Sequence, residues 1–117
     1  MTANGNRSYN VTDILTNTCN TSKGILIIIH DDNGFIDEPV VHSCENFSNL
    51  KSSIVNFFKR YDLGDVSTFL VQDETNHIRV IHGMTGDLCY ITLYLYNIQK
   101  SERAELISVI TQLGKKR

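Results

Sequence analysis

The chain has 117 residues, 41% of them hydrophobic and 21% charged, with 11 basic against 13 acidic side chains and a formal charge of -2. That length suits one domain with a single sheet-and-helix core, and the composition is that of a folding globular protein, not a disordered or collagen-like one. A nearly balanced charge supplies no broad positive field for phosphate backbones or acidic lipid, so a nucleic-acid partner is not expected.

Met1 to Ser8 is polar with nothing to anchor it, and residues 1–8 are expected to be a disordered tail ahead of a single domain over residues 9–117. No hydrophobic signal core follows the N-terminus, and the longest apolar run, Ile25 to Ile29, is far below the roughly 20 residues of a membrane helix. A cytoplasmic protein without a transmembrane segment is therefore expected. Cys19, Cys44 and Cys89 are odd in number and widely spaced, which points to free thiols.

Val11, Ile14 and Leu15 recur at helical spacing, and Thr12-Asp13 opens a short predicted helix that ends before Thr21-Ser22-Lys23-Gly24. Ile25-Leu26-Ile27-Ile28-Ile29 is rich in β-branched residues and too short for a typical helix. It predicts a central strand buried on both faces. Asp31-Asp32-Asn33-Gly34 follows, and Asn-Gly, with both residues tolerating positive φ, predicts a hairpin into an antiparallel strand from Phe35-Ile36. Pro39 cannot donate to a ladder, so that strand is short or interrupted before Val40-Val41.

Ser43 is the expected N-cap of the best-marked helix, from Cys44 to Tyr61, where Phe47, Leu50, Ile54, Phe57 or Phe58, and Tyr61 recur every three or four residues. Lys59 and Arg60 fall in its last turn and Gly64 lies beyond. Val55 and Phe58, at the margin of the main stripe, widen the apolar surface past what one sheet face covers and suggest a second contact surface. Val66 to Val71, His77 to His82 and Leu88 to Tyr96 then read as a three-strand meander. In the last strand Cys89, Ile91, Leu93 and Leu95 share a core face, while Tyr90, Thr92, Tyr94 and Tyr96 share one covered by something amphipathic. Ser101 is the expected cap of a final helix whose face is Leu106, Val109, Ile110 and Leu113.

Chemistry-bearing patterns are sparse. His30, His42, His77 and His82 form no metal-ligand spacing, and His77 and His82 would point to opposite strand faces. Cys44 and His42 near a helix start could form a nucleophile pair only through unseen proximity, and two ordinary residues is the simpler reading. Asp31, Asp32 and Asn33 lack the remaining ligands of a calcium loop. No phosphate-cradling glycine motif or nucleophile elbow occurs, and Lys115-Lys116-Arg117 suits a helix C-terminus by the dipole alone. The chain is expected to be no enzyme, with no catalytic residue, metal or cofactor.

The fold class that follows is α+β, a five-stranded mainly antiparallel sheet with flanking helices in the order α-β-β-α-β-β-β-α. With the hairpin Gly24 to Gly34, and with Asp65 to Gln72 running into His77 to Ile81 and then Leu88 to Tyr94, this order resembles the roadblock family of dynein light chains and its longin-like relatives. The resemblance covers about Tyr9 to Leu113 and rests on a hydrophobic pattern; Pro39 and the C-terminal helix depart from the simplest members. It implies a non-catalytic scaffold or regulatory subunit, a homo- or heterodimer of related subunits that presents a platform to a small GTPase or motor subunit. Members pair through the central helix and the edge strand after it. Carried onto this chain, that implies interface residues Phe47, Leu50, Ile54, Val55, Phe58, Tyr61, Phe69 and Val71. The alternative from another class is a small-molecule-sensing domain of the PAS or profilin kind, with Tyr90, Tyr94 and Tyr96 lining a pocket.

Overall fold

The apolar run after Gly24 forms the middle of β1 (Lys23–Asp31), where Ile25 to Ile29 are each 6% exposed or less. Successive side chains of a strand point to opposite faces, so this burial requires a layer on both sides of the sheet. Ile25, Ile27 and Ile29 enter one core cluster, and Leu26 and Ile28 a second one on the other face. The computed structural model describes residues 10–36, 38–61, 68–84 and 87–115. The expectations for residues 1–8, Tyr9, Gly64, Val66 and Lys116-Arg117 lie outside them.

The elements are α1 (Val11–Cys19), β1, β2 (Gly34–Phe35), β3 (Val40–Cys44), α2 (Phe47–Arg60), β4 (Thr68–Asp73), β5 (His77–Met84), β6 (Asp87–Tyr96) and α3 (Lys100–Lys115). β2 and β3 pair with the same side of β1 and are two pieces of one strand interrupted around Pro39. Counted so, the sheet has five strands in the order β2/β3, β1, β6, β5, β4, every pairing is antiparallel, and the chain order is α-β-β-α-β-β-β-α. β1 is an interior strand, and the middle place falls to β6.

The hairpin stands where expected, with a different turn. Asp31 pairs with Gly34, which makes Asp32 and Asn33 the loop residues. The Asp31 carboxylate accepts the backbone N–H of Asn33 at 2.8 Å and of Gly34 at 3.1 Å. This side-chain bond sets the turn, so only Gly34 of the pair needs positive φ, at 144°.

Two caps also differ. Asn46, not Ser43, caps α2, its Oδ1 accepting the Asn49 N–H at 2.9 Å; Ser43 is still in β3, paired with Gly24. α3 starts at Lys100, so Ser101 lies inside its first turn, and Glu102 reaches back to accept the Gln99 N–H at 2.8 Å. α1 is capped by Asn10, whose Oδ1 accepts from the Asp13 N–H at 3.1 Å.

α2 and α3 lie on the face of Ile25, Ile27 and Ile29. Leu50, Ile54 and Phe58 repeat every four residues, form one stripe of α2, and are fully buried with Leu106 and Ile110 of α3. Each such side chain contributes about 1.5–3 kcal/mol through burial. Lys51 and Glu105 pair across the two helices. The Lys23 ammonium reaches Glu102 at 3.0 Å and ties the start of β1 to α3. α1 covers part of the opposite face, where Leu15 and Cys19 bury against Leu26 and Ile28, with Tyr94 and Tyr96 alongside.

Candidate functional site

A protein-binding surface needs apolar side chains or backbone groups that the fold itself leaves uncovered. The α2 stripe does not provide one. Phe58 is 1% exposed and Leu50 and Ile54 are fully buried, so these three expected interface residues are core residues. The apolar width of α2 meets a helix of its own chain, because α3 lies beside α2 and forms the second contact surface. Phe47, Val55 and Tyr61 remain half-buried on α2, and Phe69 and Val71 half-buried on β4.

The structure also separates the two elements expected to share a seam. α2 lies over β1 and β3, with Tyr61 at its end meeting His82 of β5 at 5.8 Å between rings, whereas α3 lies along β4. Arg103 in the first turn of α3 donates to the carbonyls of Thr75 at 2.9 Å and Glu74 at 3.2 Å, and its Nε is 3.3 Å from an Asp73 oxygen. Near the other end, a methyl placed on Gly114 would stand 2.2 Å from the Phe69 ring, so the absence of a side chain at 114 is what lets Phe69 lie under the helix.

β4 is the outermost strand on this side, and its outer edge pairs with no described strand. Leu70 is 50% exposed. Beside it, Phe69, Leu70, Val71, Thr111 and Gly114 line a groove of about 380 Å³ between strand and helix. The groove's α3 wall was not legible, because nothing in Thr111 or Gly114 signals which strand the helix covers. Exposure of Leu70 did have a signal, since the Phe69-Leu70-Val71 alternation must turn one side chain away from the helices.

The remaining candidates disperse. His77 and His82 take opposite faces of β5: His77 packs on Tyr94 at 5.1 Å, and His82 is buried under Tyr61. Burial pushes the His77 imidazole below its usual value, Arg79 adds to the shift, and Glu74 opposes it. Burial and Arg60 lower His42 likewise. No hydrogen bond joins His42 to Cys44 among the described residues, and no disulfide joins Cys19, Cys44 or Cys89. Burial raises the Cys19 thiol, with a Ser43 hydrogen bond partly offsetting it.

Among the described residues no group of three or more His, Cys, Asp or Glu side chains could hold a metal ion. Nor is any helix among them long and apolar enough to cross a membrane. On the tyrosine face, Tyr94 and Tyr96 pack against the α1 cluster and Tyr90 stacks on His30 at 5.1 Å. A polar cavity of about 320 Å³ lies elsewhere, between the β4–β5 turn and the start of α3.

Fold and surface together define an α+β protein with an open antiparallel sheet whose β4 edge pairs with no described strand, and an apolar groove beside that edge. No family model, no curated protein and no solved structure matches the chain.

Proposed function

We propose that the chain is a non-catalytic, cytoplasmic scaffold or regulatory subunit that acts as a dimer and binds a small GTPase or a motor-complex subunit. The observation that supports this reading is the bare outer edge of β4. Six residues without a proline, and with a charge only at Asp73, leave one side of the strand's N–H and C=O groups open to a second chain. The opposite edge is broken around Pro39, with Ile36 and Val40 each 44% exposed on either side of the break.

Two copies of β4 related by a two-fold axis form an antiparallel pair in which directly opposed residues must lie on the same sheet face. Placing Leu70 opposite itself sets Phe69 against Val71 and Thr68 against Gln72, so apolar meets apolar and polar meets polar. The seam then consists of β4 and α3, in place of β4 and α2. The partner class follows from the roadblock resemblance.

Leu70→Glu tests the dimer, because it sets two carboxylates together at the axis while touching a side chain the fold leaves half exposed. Analytical ultracentrifugation should show a wild-type dimer and a folded Leu70→Glu monomer. Mixing Leu70→Glu with Leu70→Lys should restore a dimer. A wild-type chain that stays monomeric at all concentrations would sink the dimeric reading. A protein that co-purifies with the wild type and not with Leu70→Glu, identified by mass spectrometry, tests the partner class.

A further inference from the structure

The two faces of the sheet are covered unequally. α2 and α3 share one face; on the other, α1 packs on β1, β3 and β6, and no described helix covers the strip that runs from β6 across β5 to β4. Neighbouring strands lie about 4.8 Å apart, so the strip is about 10 Å wide, the diameter of one helix with its side chains. Leu70, Ile81 and Tyr90 stand in register across it, Leu70 exposed and the other two half-buried. The next row holds Gln72 and Arg79, both half-buried, and Thr92, which is buried beside His30. Arg79 is half-buried, its Nε is shut off from solvent without an acceptor, and no carboxylate among the described residues pairs with it. It is also the one formally charged side chain among the described strand residues of this face. A buried Nε–H without an acceptor is unfavourable in the free chain, and a carboxylate that meets it under cover turns that cost into a charge-assisted hydrogen bond.

We propose that this strip is the docking site of an amphipathic helix from a partner protein, one that carries a carboxylate within its apolar stripe to pair with Arg79. Residues 1–9 hold Arg7, no Asp or Glu and no apolar stripe, so they do not supply that carboxylate. A second copy docked face to face would set one Arg79 against another. The inference rests on the protein-binding reading above but not on the dimer, because Arg79 and Ile81 lie on β5, one strand in from the edge.

The test selects a display library of helical peptides against the full chain and titrates the winning synthetic peptide by fluorescence anisotropy. Its apolar stripe should contain an Asp or Glu, and Arg79→Glu should weaken binding by at least about tenfold, as reversal of one partner of a desolvated pair does. Changing the peptide's acid to Lys should restore binding to Arg79→Glu. Arg79→Met guards against misfolding of the charge reversal: it should raise the urea midpoint of the free chain and abolish the peptide's preference for an acid over its amide. Binding indifferent to both Arg79→Glu and Ile81→Asp, winners without an acid, no winner at all, or a lowered midpoint in Arg79→Met would each overturn the proposal. So would an oligomer that Ile81→Asp dissociates and Leu70→Glu does not, since the strip would then belong to a second copy. A monomeric wild type that binds the peptide in this way removes the dimer and leaves the docking site.

Discussion

Replacing Phe58 by Ala discriminates most sharply between a core residue and an interface residue. Phe58 is 1% exposed, meets the Phe57 ring edge-on at 5.1 Å, and sits in the cluster that joins α2, α3 and the sheet. Truncating a buried Phe to Ala costs about 3–5 kcal/mol, since both the transfer free energy and the contacts around the new cavity are lost. A domain of this size has about 5–15 kcal/mol of stability in total. With a urea slope of about 2 kcal/mol per molar, the unfolding midpoint should fall by about 2 M, read by far-ultraviolet circular dichroism. Leu70→Ala, at a half-exposed position, should cost about 1 kcal/mol or less. On the same grounds Phe58→Glu should unfold the chain rather than dissociate it. A loss below about 1 kcal/mol for Phe58→Ala, or equal losses at 58 and 70, would refute the placement of α2 against the sheet.

Histidines held below their ordinary pKa resist protonation in the folded state, so the share of stability due to His77 and His42 is complete above the unfolded value of 6.5 and is lost as pH falls below it toward the folded values. Urea midpoints should therefore drop between about pH 7.5 and 5.5, and less so in His77→Gln; a midpoint that rises on acidification contradicts the burial of these rings. For Glu102, burial pushes the carboxyl up but is outweighed by the Gln99 N–H and the Lys23 ammonium, which leave it low. Glu102→Ala should cost about 1–2 kcal/mol at neutral pH through the lost cap and tether, and the gap to wild type should close as pH falls below 4.5 through the depressed folded value. Gly114→Ala gains helix propensity of about 1 kcal/mol but overpacks the Phe69 ring, at a cost of about 1–3 kcal/mol. Thermal melting should show a net loss, and a higher Tm would mean that Phe69 yields freely.

Much of the fold was legible because it is local. A five-residue apolar run rich in β-branched residues, bounded by Gly24 and a polar turn, favours an interior strand, and Pro39 marked the break between β2 and β3. The four-residue spacing of Leu50, Ile54 and Phe58 marked α2. The cap of α2 falls on Asn46 and not on Ser43 because β3 continues through Ser43, its ladder with β1 running to Cys44. The interface was harder. Whether an apolar helix face meets a partner or another helix of its own chain depends on where α3 returns, and no residue of α2 encodes that. Arg79 was missed for a related reason, since its isolation is a property of Gln72, Thr92 and the strip around it and is invisible in the strand's own sequence.

One consequence of the layout concerns the electric field of the domain. β3 ends at Cys44 opposite Lys23 and β6 ends at Tyr96 opposite Gly24, so α2 and α3 both set out from the same end of the sheet. They finish together too, Tyr61 beside His82 and Gly114 over Phe69, two residues that face each other in β4 and β5. Their macrodipoles therefore add, each equivalent to about half a charge at either end, and neighbouring parallel dipoles repel. Lys59 and Arg60 in the last turn of α2 answer the negative end. A two-fold axis at Leu70 would lay a second α3 antiparallel beside the first, head against tail, so pairing would cancel a polarity that a lone chain must carry.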